Sequence, residues 1–298
     1  MFPAAFNYHR PATIEEALAL LSEFGDDAKL MAGGHSLIPS MKLRLLEPKH
    51  LIDLGAVMAL KYIHVEDDTV TIGAGTTHYE VESSKAAKTA LPLLCEVAGQ
   101  IADPQVRNRG TMGGSLANAD PAADWPATAV ALDAEFVCIG PNGDRVIAAA
   151  EWFQGLFSTA LEENEILRAL RFKMLPPRSA ATYLKLPHPA SRFAVVGVSA
   201  AITTDVSGAC IKARIGITGV NTHATRAIKT ERALEGKPFQ EESIVAAAMA
   251  ADDGFEVGSD MHFSEDDRRE LCRVYVERAL LTVLERIRAG EFQGKGQN

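Results

Sequence analysis

Two short stretches of the chain carry residues whose types and spacing suit chemistry. In "LMAGGHSLIPSMKLRL" (residues 30–45) an apolar run stops at Gly33 and Gly34, and His35 and Ser36 follow. In "TMGGSLANADPAADWPA" (residues 111–127) Thr111 precedes Gly113 and Gly114, with Ser115 next. Paired glycines let successive backbone amides converge with no Cβ in the way, and such a concave set of N–H groups takes up anionic oxygen, most often phosphate. Gly33, Gly34, His35 and Ser36 would offer consecutive amides and a hydroxyl, and Thr111, Gly113, Gly114 and Ser115 a similar set. One phosphate needs one such turn, so two of them suggest a diphosphate held from both sides. The bland alternative is a pair of tight turns. Neither stretch has the lysine of a Walker loop or the G-x-G-x-x-G pattern, which argues for holding a diphosphate rather than cleaving it.

The remaining polar residues add binding groups more than catalytic ones. His35, beside such a turn, is expected to donate a hydrogen bond rather than transfer protons. His9, His50, His64, His78, His188, His223 and His262 are scattered, with no zinc-ligand spacing among them. Asp120 and Asp124 are four residues apart, but Pro121 interrupts any helix between them, so a shared acid–base face is not assured. A carboxylate soon after a phosphate turn suits a ribose hydroxyl, and Asp124 is expected there. Asp120 serves either a turn or a contact, and Asn118 either caps the turn or meets the ligand.

The chain that must position these residues has 298 of them, enough for two domains. Its net charge of −9 argues against nucleic-acid or anionic-membrane partners. No apolar run approaches the ~18 residues of a membrane span, and no secretory signal opens the chain. Cys95, Cys138, Cys210 and Cys272 are too far apart for a metal knot, which points to a reducing cytoplasm and places any iron–sulfur cluster of a working assembly on another chain.

Periodicity supplies the scaffold. "PATIEEALALLSEFG" predicts a helix with Thr13 and Glu16 as a capping box, and "AKLMA" a buried strand leading into the first Gly-Gly. "KYIHVEDDTVTIGAG" predicts a hairpin at Asp67–Asp68, and "EFVCIG", "RVIAAA" and "ILRALRFKM" further strands. "LPPRSA" marks a domain boundary. Beyond it "ATYLKL", "AVVGVSAAITT" and "GACIKARIGITGV" predict a three-stranded antiparallel sheet, with helices near 224–236, 240–253 and 264–289. The class is α+β, with domains at 1–177 (parts 1–55 and 56–177) and 178–290, and a tail at 291–298.

"AGGHSLIPSMKLRL" together with "IADPQVRNRGTMGGSLANADPAADWPA" resembles the FAD-binding medium subunits of the molybdenum hydroxylases (the xanthine oxidase family), most closely those of carbon monoxide dehydrogenases. The resemblance runs over essentially the whole chain and implies a p-cresol methylhydroxylase-type FAD-binding domain in two α/β subdomains, followed by the family's flavoprotein C-terminal domain. It places the FAD pyrophosphate against Ala32, Gly33, Gly34, His35, Ser36 and Leu37 on one side and Thr111, Gly113, Gly114 and Ser115 on the other, with Asn118 close by and Asp124 at the adenosine ribose. Lys185 matches a family lysine that approaches the isoalloxazine, where a cation favours the anionic reduced flavin and raises its potential. Phe193 stands where the carbon monoxide enzymes carry tyrosine, keeping the stacking surface but losing the hydroxyl. The segment "KLPHPASRF" brings two prolines where those relatives are basic.

The implied activity is electron transfer within an oxidoreductase. A large molybdenum-cofactor subunit would oxidise the substrate, a small [2Fe–2S] subunit would relay electrons, and this chain would collect them on FAD for an external acceptor. No residue of this chain is implied as catalytic and none as a metal ligand. The assembly would be a dimer of heterotrimers in the cytoplasm, with the inner membrane face open to it through the complex. The rival readings are a standalone flavin oxidase of the same fold and a module that only binds a nucleotide diphosphate. With no NAD fingerprint, a quinone, a cytochrome or oxygen is the preferred acceptor.

Overall fold

Thr13 begins the first helix as its sequence suggests: in the computed structural model, which describes residues 1–293, its hydroxyl accepts from Glu16 N at 3.2 Å. Ile14, Ala17 and Leu21 bury one face of that helix (Ile14–Phe24), and Gly25, at φ 48°, ends it. The helix lies against a small parallel sheet, ordered β1 (Asn7–His9), β3 (His50–Asp53), β2 (Ala28–Met31). The first Gly-Gly leaves this sheet from the end of β2.

A five-stranded antiparallel sheet follows, in the order β4 (Ile63–Glu66), β5 (Thr69–Gly73), β10 (Ile166–Lys173), β6 (Glu135–Gly140), β7 (Gly143–Ala148). The Asp67–Asp68 hairpin is present, with Asp67 in the left-handed region at φ 50°. Trp125, Phe136, Trp152 and Phe172 fill the space between this sheet and its helices, and Phe136 stacks on Trp152 at 4.1 Å. A two-stranded ribbon, β8 (Phe153–Gly155) with β9 (Ser158–Thr159), completes this part.

The C-terminal sheet explains why "AVVGVSAAI" is an unbroken small-apolar run rather than an alternating one. β11 (Ser179–Pro187), β12 (Ala194–Thr204) and β13 (Cys210–Thr218) pair antiparallel, and both faces of β12 are covered. Val196, Val198, Ala200 and Ile202 meet the long helix Glu265–Arg288, while the helix Asp124–Ala131 of the FAD-binding part packs on the other face. Ser264 caps the long helix in a full capping box with Asp267.

Three expectations need correction. A short fourth strand, β14 (Thr225–Arg226), pairs with β13 where a helix was expected, and that helix begins only at Ile228. Short helices form where open turns were expected: Leu37–Lys42 just after the first Gly-Gly, and Met112–Asn118, which contains the second. At the expected tail, Gln293 N donates to Ser179 O at 2.7 Å, so residue 293 returns to β11; residues 294–298 lie outside the described residues. Among the described residues no helix is long and apolar enough to cross a membrane.

Gly216 on β13 lets the helix Asp124–Ala131 come close: a Cβ there would run into the Ala127 carbonyl oxygen and sit 2.8 Å from Val130 Cγ2. Gly216→Ala is expected to cost about 1–3 kcal/mol by overpacking. A lowered thermal midpoint would show it, whereas Gly258→Ala, where a Cβ meets only open space, should stay within about 0.5 kcal/mol of the parent.

Candidate functional site

The first Gly-Gly turn is built as the sequence suggests. Gly34 takes φ +75°, a conformation open to glycine at no steric cost, and its carbonyl accepts from Ile38 N at 2.9 Å to start the next helix. Among the described residues no acceptor meets the amides of Gly33, Gly34, His35 or Ser36. His35 turns back on its own loop, its Nδ1 lying 3.0 Å from Gly33 O. A carbonyl only accepts, so Nδ1 carries the proton of this hydrogen bond. The structure thus gives His35 a part in shaping the turn. Leu37 opens the helix and packs beside Met31, Met41 and Leu51.

The second Gly-Gly is different, and the expected second set of free amides is corrected here. Thr111 caps the helix Met112–Asn118, its Oγ1 accepting from Gly114 N at 3.0 Å. Met112 N donates to Thr76 O and Gly113 N to Ala74 O, each at 3.0 Å, and Ser115 N to Thr111 O. These amides are already spent inside the chain. The glycine at 113 serves close packing: a Cβ would strike Ala74, whose carbonyl oxygen would lie 2.6 Å away.

The two stretches nevertheless touch. A Cβ on Gly33 would collide with the Arg109 carbonyl oxygen and lie 2.7 Å from Gly110 Cα, and a Cβ on Gly114 would sit 3.5 Å from Ala32 Cβ. Free donors therefore line one wall, and a capped helix start with the Thr111 and Ser115 side chains forms the other. Asn118 ends that helix half-buried, its side chain without a hydrogen-bond partner among the described residues.

Asp124 is buried at 5% exposure, with Lys185 Nζ 2.9 Å and Tyr183 Oη 2.5 Å from its Oδ1. Burial pushes its carboxyl above the usual carboxylate range, against the opposing pull of Lys185 and of the Tyr183 hydroxyl. The resemblance sends Asp124 to the adenosine ribose and Lys185 to the isoalloxazine, opposite ends of FAD. In this structure the two side chains instead form a direct 2.9 Å pair. Phe193 lies in the turn after Lys185, and the next residue, Ala194, donates to Ala122 O at 3.0 Å.

His78, passed over as one of the scattered histidines, sits beneath this junction. Trp125 Nε1 donates to its Nδ1 at 3.1 Å, which fixes the neutral Nε2–H form, and its ring would meet a Cβ on Gly110 at 2.8 Å. Burial first, then the charges of His35 and Arg107, lowers its pKa from 6.5 to about 3. Its partner lies 47 residues away, so spacing carried no sign of it.

Unpaired amides beside a capped helix start, where the two parts of the first domain meet, suit a phosphate-bearing ligand such as a dinucleotide. Residues 4–173 match the family model of the FAD binding domain in molybdopterin dehydrogenase, and residues 181–283 that of the CO dehydrogenase flavoprotein C-terminal domain. The chain belongs to this family of FAD-binding subunits of molybdenum oxidoreductases. It is 42% identical to the carbon monoxide dehydrogenase medium chain of Hydrogenophaga pseudoflava, over 94% of this chain and 97% of that one. It is 37% identical to the 6-hydroxypseudooxynicotine dehydrogenase complex subunit alpha of Paenarthrobacter nicotinovorans, over 97% of each. Its fold matches a solved carbon monoxide dehydrogenase from H. pseudoflava with a TM-score of 0.93, covering 96% of this chain and 99% of that one at 42% identity. A quinoline 2-oxidoreductase from Pseudomonas putida matches with a TM-score of 0.90 at 32% identity, over 96% and 99% of the two chains.

Two outcomes follow. The unfolded chain takes up the His78 proton below about pH 6.5 and the native chain only near 3, so stability falls as pH drops through that window. By pH 5 the loss reaches about 2 kcal/mol. His78→Gln, which keeps an acceptor for Trp125, should lose less stability between pH 7 and pH 5 than the parent in thermal melts, by about that amount. Gly33→Ala, which forces the two walls apart, should lower FAD content in the assembled enzyme at limiting FAD by about tenfold or more, equivalent to at least ~1.4 kcal/mol of affinity, with Gly258→Ala unchanged.

Proposed function

We propose that this chain holds FAD at the seam of its two domains and serves as the electron-transfer subunit of a molybdenum enzyme. It would receive electrons from the [2Fe–2S] clusters of a small partner chain and release them to an external acceptor. The observation that carries this reading is the first turn, where four successive amides, Gly33 to Ser36, have no acceptor among the described residues. A diphosphate is a ligand that fits such a turn.

When bound, FAD would supply a store for two electrons that can be filled one at a time. The chain's own residues bind and orient. Gly33, Gly34, His35 and Ser36 donate main-chain N–H groups to the diphosphate, and His35 keeps their turn closed. The Thr111 and Ser115 side chains border the opposite wall, and Asn118 brings a side-chain amide to its end. The Asp124–Lys185 pair lies at the isoalloxazine end with Phe193, because Lys185 and Phe193 belong to one tied turn; the ribose assignment of Asp124 is given up. Phe193, 42% exposed, offers its face to a flat ring.

Cys95, Cys138, Cys210 and Cys272 are widely spaced in the sequence, without the C-x-x-C pattern of a cluster site, which supports placing the clusters on another chain. The small iron–sulfur and large molybdenum-cofactor subunits would then complete a heterotrimer that pairs as a dimer, working in the cytoplasm. Relatives at 42% and 37% identity are named for carbon monoxide and for 6-hydroxypseudooxynicotine, so this chain does not choose the substrate.

The test is to purify the complex with its partner chains and follow its flavin absorbance. Stoichiometric FAD that bleaches when the clusters are reduced is the expected result. A complex with no FAD, or a flavin that stays oxidised beside reduced clusters, would overturn the reading.

A further inference from the structure

Lys185 makes two contacts that join separate parts of the molecule. Its ammonium is 2.9 Å from Asp124 Oδ1 in the FAD-binding domain and donates to the main-chain carbonyl of Arg192 at 3.0 Å. The lysine side chain is 4% exposed, unlike the loose surface pairs that exchange freely with water. Tyr183, fully buried two residues earlier on β11, donates to the same carboxylate oxygen and holds the acid in place from below.

Arg192 belongs to a closed turn. Its N donates to His188 O at 2.8 Å, and His188 N donates to Phe193 O at 2.7 Å. Inside the turn His188 Nδ1 accepts from the amides of Ala190 and Ser191 at 3.2 and 3.3 Å. Arg192 has φ 61°, a region that residues other than glycine enter when surrounding contacts hold them there. The Arg192 carbonyl is tied to Asp124 through Lys185, and the Ala194 amide is tied to Ala122 O at 3.0 Å. Phe193 sits between these two ties, and both lead to residues 122–124 of the other domain.

We propose that Lys185 is a positioning residue: by holding Asp124 and the Arg192 carbonyl together, it fixes the turn 188–193 and with it the place of the Phe193 ring beside the flavin. The role differs from that of a cation acting on the flavin itself, because Asp124 neutralises the ammonium it holds. It rests on the FAD reading only for what Phe193 faces; the hold on the turn does not depend on that reading.

The test uses the assembled complex carrying Lys185→Met, Lys185→Arg, or Lys185→Met with Asp124→Asn. The double variant leaves no unpaired buried charge and keeps the experiment readable if the single one fails to fold. Hydrogen–deuterium exchange over residues 188–194 reads the hold on the turn, and the visible circular dichroism of the flavin reads the ring's surroundings. Lys185→Met and the double variant are expected to speed exchange in this peptide by about tenfold or more and to change the flavin dichroism, and Lys185→Arg to restore both toward the parent. Unchanged exchange in both methionine variants would overturn the proposal, and so would faster exchange with an unaltered flavin dichroism. A complex without FAD would end the FAD reading while the exchange measurement still decides whether Lys185 holds the turn.

Discussion

The main chain of Gly33 rests against that of Arg109 and Gly110, and the site depends on this contact. The first stretch leaves the small parallel sheet; the second runs beside the five-stranded sheet. Only a residue without a Cβ lets main chains from two such layers meet directly. The meeting sets unequal partners face to face. One stretch keeps its amides free, and the other spends them on Ala74, Thr76 and Thr111 to become a rigid wall. Two glycine pairs that look alike in sequence do different work: the first leaves its amides unpaired among the described residues, and the second permits packing.

The seam between the domains has a consistent polarity. Asp133 of the FAD-binding domain meets Arg214 and Arg226, Glu96 meets Arg286, and Asp124 meets Lys185. In each pair the acid comes from the first domain and the base from the second. The exposed members add little stability, about 0–1 kcal/mol apiece. The enclosed Asp124–Lys185 pair is different, since losing one partner strands the other away from water at about 3–5 kcal/mol. These contacts fix how the domains sit together, and the position of Phe193 relative to the first turn follows from that.

Much of the scaffold is legible in the sequence because local rules decide it. Thr13, Asp67–Asp68, Ser264 and the unbroken apolar run of β12 each produce the element that their chemistry suggests. The helix at Met112–Asn118 is not legible, since each interior glycine costs about 1 kcal/mol of helix propensity and the compensation comes from Ala74 and Thr76, some forty residues earlier. The first turn is readable from its glycines and hydroxyl. His78 with Trp125, and Asp124 with Lys185 and Tyr183, are tertiary pairs with no period to announce them. The motif resemblance carries the family, but it gives no sign of the direct contact between Asp124 and Lys185.

If the proposal is right, the amides of Gly33 to Ser36 hold the FAD diphosphate while the second stretch supplies a wall. An experimental structure of the flavin-loaded complex tests it most directly. Phosphate oxygens are expected within hydrogen-bonding distance, about 2.7–3.2 Å, of at least two of those amides, with the amides of Met112, Gly113 and Gly114 still bonded inside the chain. A diphosphate bound to the amides of the second stretch, with the first turn's amides left facing water, would contradict it.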